Sequence, residues 1–302
     1  MKAAHIHAYG DADQIRYEEI TKPIPGAGEV LIKVEASGLN PVELYIRQGY
    51  LAKMIPLGFP VRLGLDLAGK VMAVGTGVTA YKVGDRVIGK LPIKGKGANA
   101  EFVVALPGQL ARLADNVGFA AGATLPLAGL TGRQAVDALA IKKGDRVLVT
   151  GALGAVGRAA VQYLKELGAV PVAGVRASRL AEVASLGIDA VVVDETGKKG
   201  SFVGAVDTVG GAVAASAVAL VRDGGKMAAV AGVPEGANPG NRIAVINVLA
   251  TDNGETLQKL ADAAARGELS IPVAKTFKLS QVAEGHKLLA AGRVGGKIVF
   301  IP

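Results

Sequence analysis

Hydrophobic positions along this chain change their rhythm near residue 115. Before it, short Val- and Ile-rich runs at 30–34, 70–74, 86–88 and 101–104 are cut by Gly and Pro. That spacing predicts short strands in an all-β, partly closed unit. After it, strand-like and helix-like runs alternate. Strands are predicted over 146–150, 170–175, 190–193, 203–207, 226–231 and 243–249, with helices over 155–167 and 178–186. Such alternation argues for a doubly wound parallel sheet with helices on both faces, an α/β class. A helix over 256–265 follows, then a strand, a helix over 281–291 and a final strand over 297–301.

Composition narrows the picture. Half of the 302 residues are hydrophobic and 20% are charged, which supports sizeable cores and argues against global disorder. Each apolar run is interrupted before the ~18–20 residues that a spanning helix needs, so no membrane role is expected. Residues 1–13 are broken by His5, His7, Asp11 and Asp13 and lack a signal peptide's apolar centre, so a cytoplasmic location is the expectation. With no cysteine, disulfides, iron–sulfur clusters and thiolate nucleophiles are removed from consideration. His5, His7 and His286 are too few and scattered for a histidine-rich metal centre. His5 and His7 share a strand face, and His286 is expected to be exposed on its helix.

Thirty-four basic against 26 acidic residues leave a charge of +8. The basic residues form no long run and aromatics make up only 4%, so a phosphate-bearing cofactor, or simple solubility, is favoured over nucleic acid.

The sharpest local signal is Val147-Leu-Val-Thr-Gly-Ala-Leu-Gly-Ala-Val-Gly157, a strand, a glycine turn and a helix. Ala152-x-Gly154-x-x-Gly157 departs from G-x-G-x-x-G at its first position, with Gly151 just before it. The physics survives the change. Gly154 lets the backbone approach a pyrophosphate, the helix N-terminus offers N–H groups, and Gly157 permits close helix–strand packing. The turn nominates Gly151, Leu153, Gly154, Ala155 and Val156 as cofactor contacts. At the end of the second strand, where a carboxylate would hold a ribose 2′-hydroxyl, stands Gly174-Val-Arg-Ala-Ser-Arg179. Gly174 and Val175 would line the crevice. Arg176 and Arg179 can pair with a 2′-phosphate, and Ser178 can donate to it and cap the next helix. NADPH is therefore expected rather than NADH.

Several segments together resemble one family. They are Ala36-Ser-Gly-Leu-Asn-Pro-Val-Glu43, Leu63-Gly-Leu-Asp-Leu-Ala-Gly69, Val83-Gly-Asp-Arg-Val87, Ala98-Asn-Ala-Glu-Phe-Val103, Leu125-Pro-Leu-Ala-Gly-Leu-Thr131 and Gly292-Arg-Val-Gly-Gly-Lys-Ile-Val299. This chain resembles the zinc-independent quinone oxidoreductase (zeta-crystallin-like) branch of the medium-chain dehydrogenase/reductase superfamily, over nearly its whole length. The resemblance implies a GroES-like β domain from 1–113 completed by 267–302, and a Rossmann nucleotide-binding domain over 114–266. A homodimer through the strand at 243–249 is implied by family analogy alone.

In zinc-dependent members of that superfamily, Cys, His and a further ligand hold the metal. The resemblance sets Asn40 and Leu65 at two of those positions, which cannot ligate zinc, so no metal is expected. Asp66 is then read as a buried carboxylate paired with a base or a backbone N–H. Reduction of an electrophilic quinone or enone remains, with the protein supplying position and a donor for the oxygen that gains charge.

The resemblance also assigns roles. Asn40, with Pro41, Tyr45 and Tyr50 face nicotinamide and acceptor. Asn40 would donate its amide N–H, and the two tyrosines would offer phenol donors and flat faces. Plainer alternatives stand beside each: turn chemistry at Asn40-Pro41, a core aromatic at Tyr45, a loop anchor at Tyr50. Leu127 would pack on the ring, and Thr131 would lie on the nicotinamide side or serve as a helix N-terminal hydroxyl. Val209, Ala231, Gly232 and Val233 end later strands and would line the adenine side. Lys297 either approaches the cofactor or is a strand-edge charge. Where the branch often has an adenine-stacking tyrosine, this chain has Asp194-Glu195. Alternative functions are a 2-alkenal or enoyl reductase on the same scaffold, and a non-catalytic NADPH-binding protein with nucleic-acid affinity.

Overall fold

The computed structural model describes residues 1–93, 96–193, 200–292 and 294–302. Asp194-Glu195 and Arg293 of the tail motif lie outside the described residues. The chain opens with β1 (Lys2–Ile6), β2 (Ile15–Glu19), β3 (Val30–Leu39), α1 (Pro41–Gln48), β4 (Val61–Arg62), β5 (Asp66–Val74), β6 (Arg86–Lys90), β7 (Phe102–Ala105), β8 (Leu110–Arg112) and α2 (Phe119–Gly122). There follow α3 (Pro126–Leu139), β9 (Arg146–Thr150), α4 (Ala155–Glu166), β10 (Val170–Val175), a 3-10 helix over Ala177–Leu186, β11 (Ala190–Val192), β12 (Phe202–Asp207), α5 (Gly211–Leu220), β13 (Val221–Ala229) and β14 (Ala244–Asn247). Last come α6 (Gly254–Ala265), β15 (Val273–Lys278), α7 (Val282–Ala291) and β16 (Lys297–Ile301).

Two compact units result, Met1–Leu127 with Asp252–Pro302, and Ala128–Thr251. These divisions differ from the expected ones at 113/114 and 266/267. The reason is packing. Helix α2 lies on β3 and β5, and α6 lies on β8. Gln258 of α6 accepts from the Arg112 N–H at 2.8 Å and donates to its carbonyl at 3.2 Å.

Among the described residues, the first unit holds a three-stranded sheet, β2-β1-β4, and a seven-stranded sheet, β15-β16-β3-β5-β6-β8 with β7 on β3. Pairing is antiparallel except β15 with β16. Strand β5 is buried on both faces over its first four residues and then begins to alternate. That pattern marks where the sheet passes from core to rim. Ile32, Leu67, Val71, Val87 and Val103 interlock in this core, and fully burying each such aliphatic side chain contributes about 1.5–3 kcal/mol. β16 pairs with β3, which explains why the end of the chain returns to this unit.

The second unit is a parallel sheet in the order β11-β10-β9-β12-β13-β14, a doubly wound order that reverses between β9 and β12. Except for their first residues, β9 and β10 are buried throughout, as strands covered by helices on both faces must be. Register brings Thr150 level with Gly174 on one side and Asp207 on the other, and Asp207 level with Ala229. The carboxyl ends of four strands therefore share one edge. Gly151–Gly154, Arg176, Val209 and Gly232 all lie just beyond it.

Candidate active site

In the second unit, the turn after β9 is built by glycines that admit no side chain. Gly151 has φ +66°, and a Cβ there would meet Thr208 Oγ1 at 2.2 Å. A Cβ on Gly157 would meet the Gly151 carbonyl oxygen at 2.2 Å, so α4 can start this close to the turn only with glycine. Gly154 is the N-cap of α4, and no side chain caps it. The first-turn N–H groups and the positive end of the helix dipole therefore face the crevice edge, a ready anion site. Ala155 and Val156 are half-buried in that first turn. The Leu153 side chain is buried in the core, so its contribution to a ligand would come from the backbone.

Asp207 ties this edge together, a role that the sequence reading missed. Fully buried, it accepts from the Thr150 hydroxyl and, at 2.8 Å, from the Gly210 N–H. Thr208 Oγ1 donates to the Thr150 carbonyl at 2.9 Å. An acidic residue ending a Val-rich strand and followed by Thr-Val-Gly was the available signal. Val209, Ala231 and Gly232 are exposed at this edge, and Val233 is half-buried.

After β10 one expectation needs correction. Ser178 does not cap the next helix. Arg176 is the N-cap, without a side-chain hydrogen bond, and Ser178 lies exposed inside the first turn. Arg179 is already engaged, donating to Glu182 at 2.8 and 2.7 Å. Arg176 is exposed, and Gly174 and Val175 are buried. A Cβ on Gly174 would meet Val193 at 2.8 Å, so that glycine is required by strand packing.

In the first unit, Asn40 caps α1, with Pro41 at the first helical position, where its missing N–H costs nothing. Glu43, three residues on, accepts from the Asn40 backbone N–H at 3.1 Å, as an N3 carboxylate does in a capping box. This Glu is fully buried. Its other oxygen accepts from the Gly64 N–H at 2.8 Å. The Asn40 amide donates to Glu43 at 3.1 Å and to Asp66 at 3.0 Å, and its oxygen accepts from Lys297. Asn40 was expected to offer its N–H groups to a ribose or carbonyl; both are spent inside this network. Asp66 is fully buried as expected, with Lys297 Nζ at 2.8 Å and the Leu127 N–H at 2.8 Å. Lys297 is no edge charge. It is buried, and Gly38 leaves room for it, since a Cβ there would meet Lys297 Cε at 3.1 Å. Burial pushes the Glu43 carboxyl up to about 7. The Asp66 charge adds to the rise, while the Asn40 hydrogen bonds and Lys297 oppose it.

The tyrosines are different. Tyr45 is 51% and Tyr50 72% exposed, with ring centroids 6.3 Å apart. The Tyr50 N–H donates to the Tyr45 carbonyl at 3.0 Å across Gly49, whose φ of +83° ends the helix. Tyr45 is thus not a core aromatic. Leu127 is half-buried and Thr131 buried on α3. His286, expected exposed, is fully buried on α7. His5 and His7 both approach Glu18, at 3.1 and 2.9 Å.

Residues 26–122 match the alcohol dehydrogenase GroES-like domain, and residues 181–300 match the zinc-binding dehydrogenase family. A chloroplast envelope quinone oxidoreductase homolog of Arabidopsis thaliana is 38% identical over 64% of this chain and 60% of its own length. The chain therefore spans less than two thirds of that relative. An NADPH-dependent alkenal/one oxidoreductase of the same plant is 32% identical over all of this chain and 80% of its own. The quinone oxidoreductase structure from Coxiella burnetii superposes with a TM-score of 0.91 at 28% identity, covering 100% of this chain and 99% of that one. An NAD-dependent alcohol dehydrogenase structure also gives 0.91, at 27% identity over the full length of both chains. The chain belongs to the quinone oxidoreductase branch of the medium-chain dehydrogenase/reductase superfamily.

The residues here do not fit a zinc ion. Asn40 is saturated by its neighbours, Leu65 is a buried aliphatic, and an ammonium already stands against Asp66. Among the described residues, no group of three His, Cys, Asp or Glu side chains is arranged to hold a metal, and no helix is long and apolar enough to cross a membrane.

Proposed function

We propose that this chain is a zinc-independent, NADPH-dependent reductase of quinones and related conjugated carbonyls. The observation that carries the reading is the end of β10, where Arg176 and Arg179 stand and no acidic residue takes the strand-end place that would hold a ribose 2′-hydroxyl. The glycine turn fits the cofactor. Gly151, Leu153, Gly154, Ala155 and Val156 would hold its pyrophosphate through backbone N–H groups. Gly174, Val175, Arg176, Ser178 and Arg179 would hold the adenosine ribose and phosphate. Val209, Ala231, Gly232 and Val233 would line the adenine, and Leu127 and Thr131 the nicotinamide side. When bound, the cofactor supplies a hydride.

The protein's own part is positional and electrostatic. With the Asn40 amide spent on Glu43 and Asp66, its role is to hold the start of α1, and with it Tyr45, in place. Tyr45 and Tyr50 offer exposed faces to a flat acceptor and hydroxyls to its oxygen. Water or a tyrosine hydroxyl supplies the proton that completes the two-electron reduction. Lys297 stabilises the buried carboxylates and approaches the cofactor only through them.

A second reading, reduction of 2-alkenals or enoyl compounds, is supported by the whole-length similarity to the alkenal/one oxidoreductase. The test is NADPH consumption with benzoquinone, naphthoquinone, phenanthrenequinone and short alkenals. Turnover of quinones is expected. Quinone inactivity with strong alkenal turnover would transfer the case to the second reading.

A further inference from the structure

Arg179, assigned to a 2′-phosphate, already holds an anion in this structure. Its Nε and Nη2 donate to Glu182 Oε1 and Oε2 at 2.8 and 2.7 Å. That planar two-bond contact is the geometry a phosphate would use. The two side chains are 33% and 53% exposed, so the pair is weak and open to displacement.

A second guanidinium stands close by on α4. Arg158 Nε donates to the Leu153 carbonyl in the glycine turn at 3.1 Å, and its Nη2 reaches Ser185 Oγ at 3.5 Å. Ser185 Oγ in turn donates to the Glu182 carbonyl at 2.7 Å. Arg158 therefore lies against the same helical face that carries Glu182. The electrostatics agree. Burial holds Arg158 below its ordinary range, Arg179 adds to that, and Glu182 opposes it. The Glu182 carboxyl is held low by Arg179 first, with Arg158 adding. One carboxylate thus feels two guanidinium groups and is bonded to one of them.

We infer that Glu182 is a carboxylate switch between Arg179 and Arg158. It covers Arg179 while no 2′-phosphate is present, and turns to Arg158 when the phosphate takes its place. The inference rests on the NADPH reading and concerns the same site. No covalent bond changes; one set of hydrogen bonds replaces another. Arg158 is a positioning residue here. It does not touch the ligand, but gives the displaced carboxylate somewhere to go. Without it, Glu182 would stay close to the phosphate as an unpaired like charge. The switch lowers affinity for the 2′-phosphate below what the arginines alone would give, which favours exchange of spent cofactor.

The test is calorimetric binding of adenosine 2′,5′-bisphosphate and of 5′-AMP to the full chain. It compares wild type, Glu182→Gln, Arg158→Ala and the double variant. Each effect is read as the ratio of the two affinities, so that damage to the turn itself cancels. Glu182→Gln is expected to raise the ratio about two- to fivefold. Arg158→Ala is expected to lower it by a similar factor, and to have no effect once Glu182 is Gln. Wild type binding both ligands equally would overturn the NADPH reading and the switch together. A preference for the bisphosphate with Glu182→Gln failing to raise it, or with Arg158→Ala costing as much in both backgrounds, would overturn the switch alone.

Discussion

Lys297 and Asp66, 231 positions apart in sequence, meet as an ion pair with Nζ to Oδ2 at 2.8 Å and almost no exposure of either side chain. A pair this buried gains little over an apolar alternative, but losing one partner strands the other. Lys297→Met is therefore expected to cost about 3–5 kcal/mol in chemical denaturation, and Lys297→Met with Asp66→Asn to recover part of that. A loss under about 1 kcal/mol for the single variant would mean that Asp66 finds another partner.

Two of the buried titratable groups of the first unit, Glu43 and His286, oppose each other with pH. Glu43, raised from 4.5 to about 7, keeps a proton in the folded chain that the unfolded chain releases. Its contribution is largest below pH 4.5, falls as pH rises through 4.5–7 and is level above, a change on the order of 3 kcal/mol. His286 runs the other way. Burial, with Arg47 adding, pushes its imidazole down to about 3, and neither ring nitrogen has a partner among the described residues. Its contribution is complete above pH 6.5 and is lost as pH falls toward 3. Denaturation from pH 3 to 8 should show Glu43→Gln flattening the decline between 4.5 and 7, and His286→Leu removing the loss on the acid side. Curves parallel to wild type for both variants would contradict this assignment.

Gly157→Ala is expected to disable the turn. Its Cβ would lie 2.2 Å from the Gly151 carbonyl, and the neighbours there are backbone atoms that cannot swing aside. The variant should lose the rise in melting temperature that NADPH gives wild type. An undiminished rise would mean that the cofactor does not use this turn.

Tyr45→Phe keeps the exposed ring and removes only the hydroxyl. Turnover should slow by less than about tenfold, well short of the ~10²–10⁴ that a general acid supplies. Abolished turnover would show instead that Tyr45 carries the essential proton.

Much of the second unit was legible because its strands obey simple rules. β9 and β10 are continuous apolar runs bounded by Arg, Gly and charged turns, and both fall where predicted. β13 starts at Val221, earlier than predicted, because Val221 pairs with Phe202 ahead of a register shift, after which regular pairing resumes at Lys226. β14 is shorter than 243–249, paired only over Ala244–Asn247. His286 was misread although the signal existed: it shares a helix face with Val282, Gly285 and Leu289, spaced 3 and 4 apart. The cap network resisted sequence reading for a different reason. Asn40, Glu43, Asp66 and Lys297 come from three separated segments, and only strand pairing of β16 and β5 with β3 brings them together. Arg179 was read as a partner for a 2′-phosphate; the anion it meets here, Glu182, lies three residues away on the same turn of helix.

On the proposed reading, the second unit prefers the phosphorylated dinucleotide. Initial rates with NADPH and NADH at equal concentration, against one quinone that turns over, test it most directly. The expected kcat/KM is higher for NADPH by at least about tenfold, the worth of one charge-assisted contact to the 2′-phosphate. Equal rates, or a preference for NADH, would contradict it.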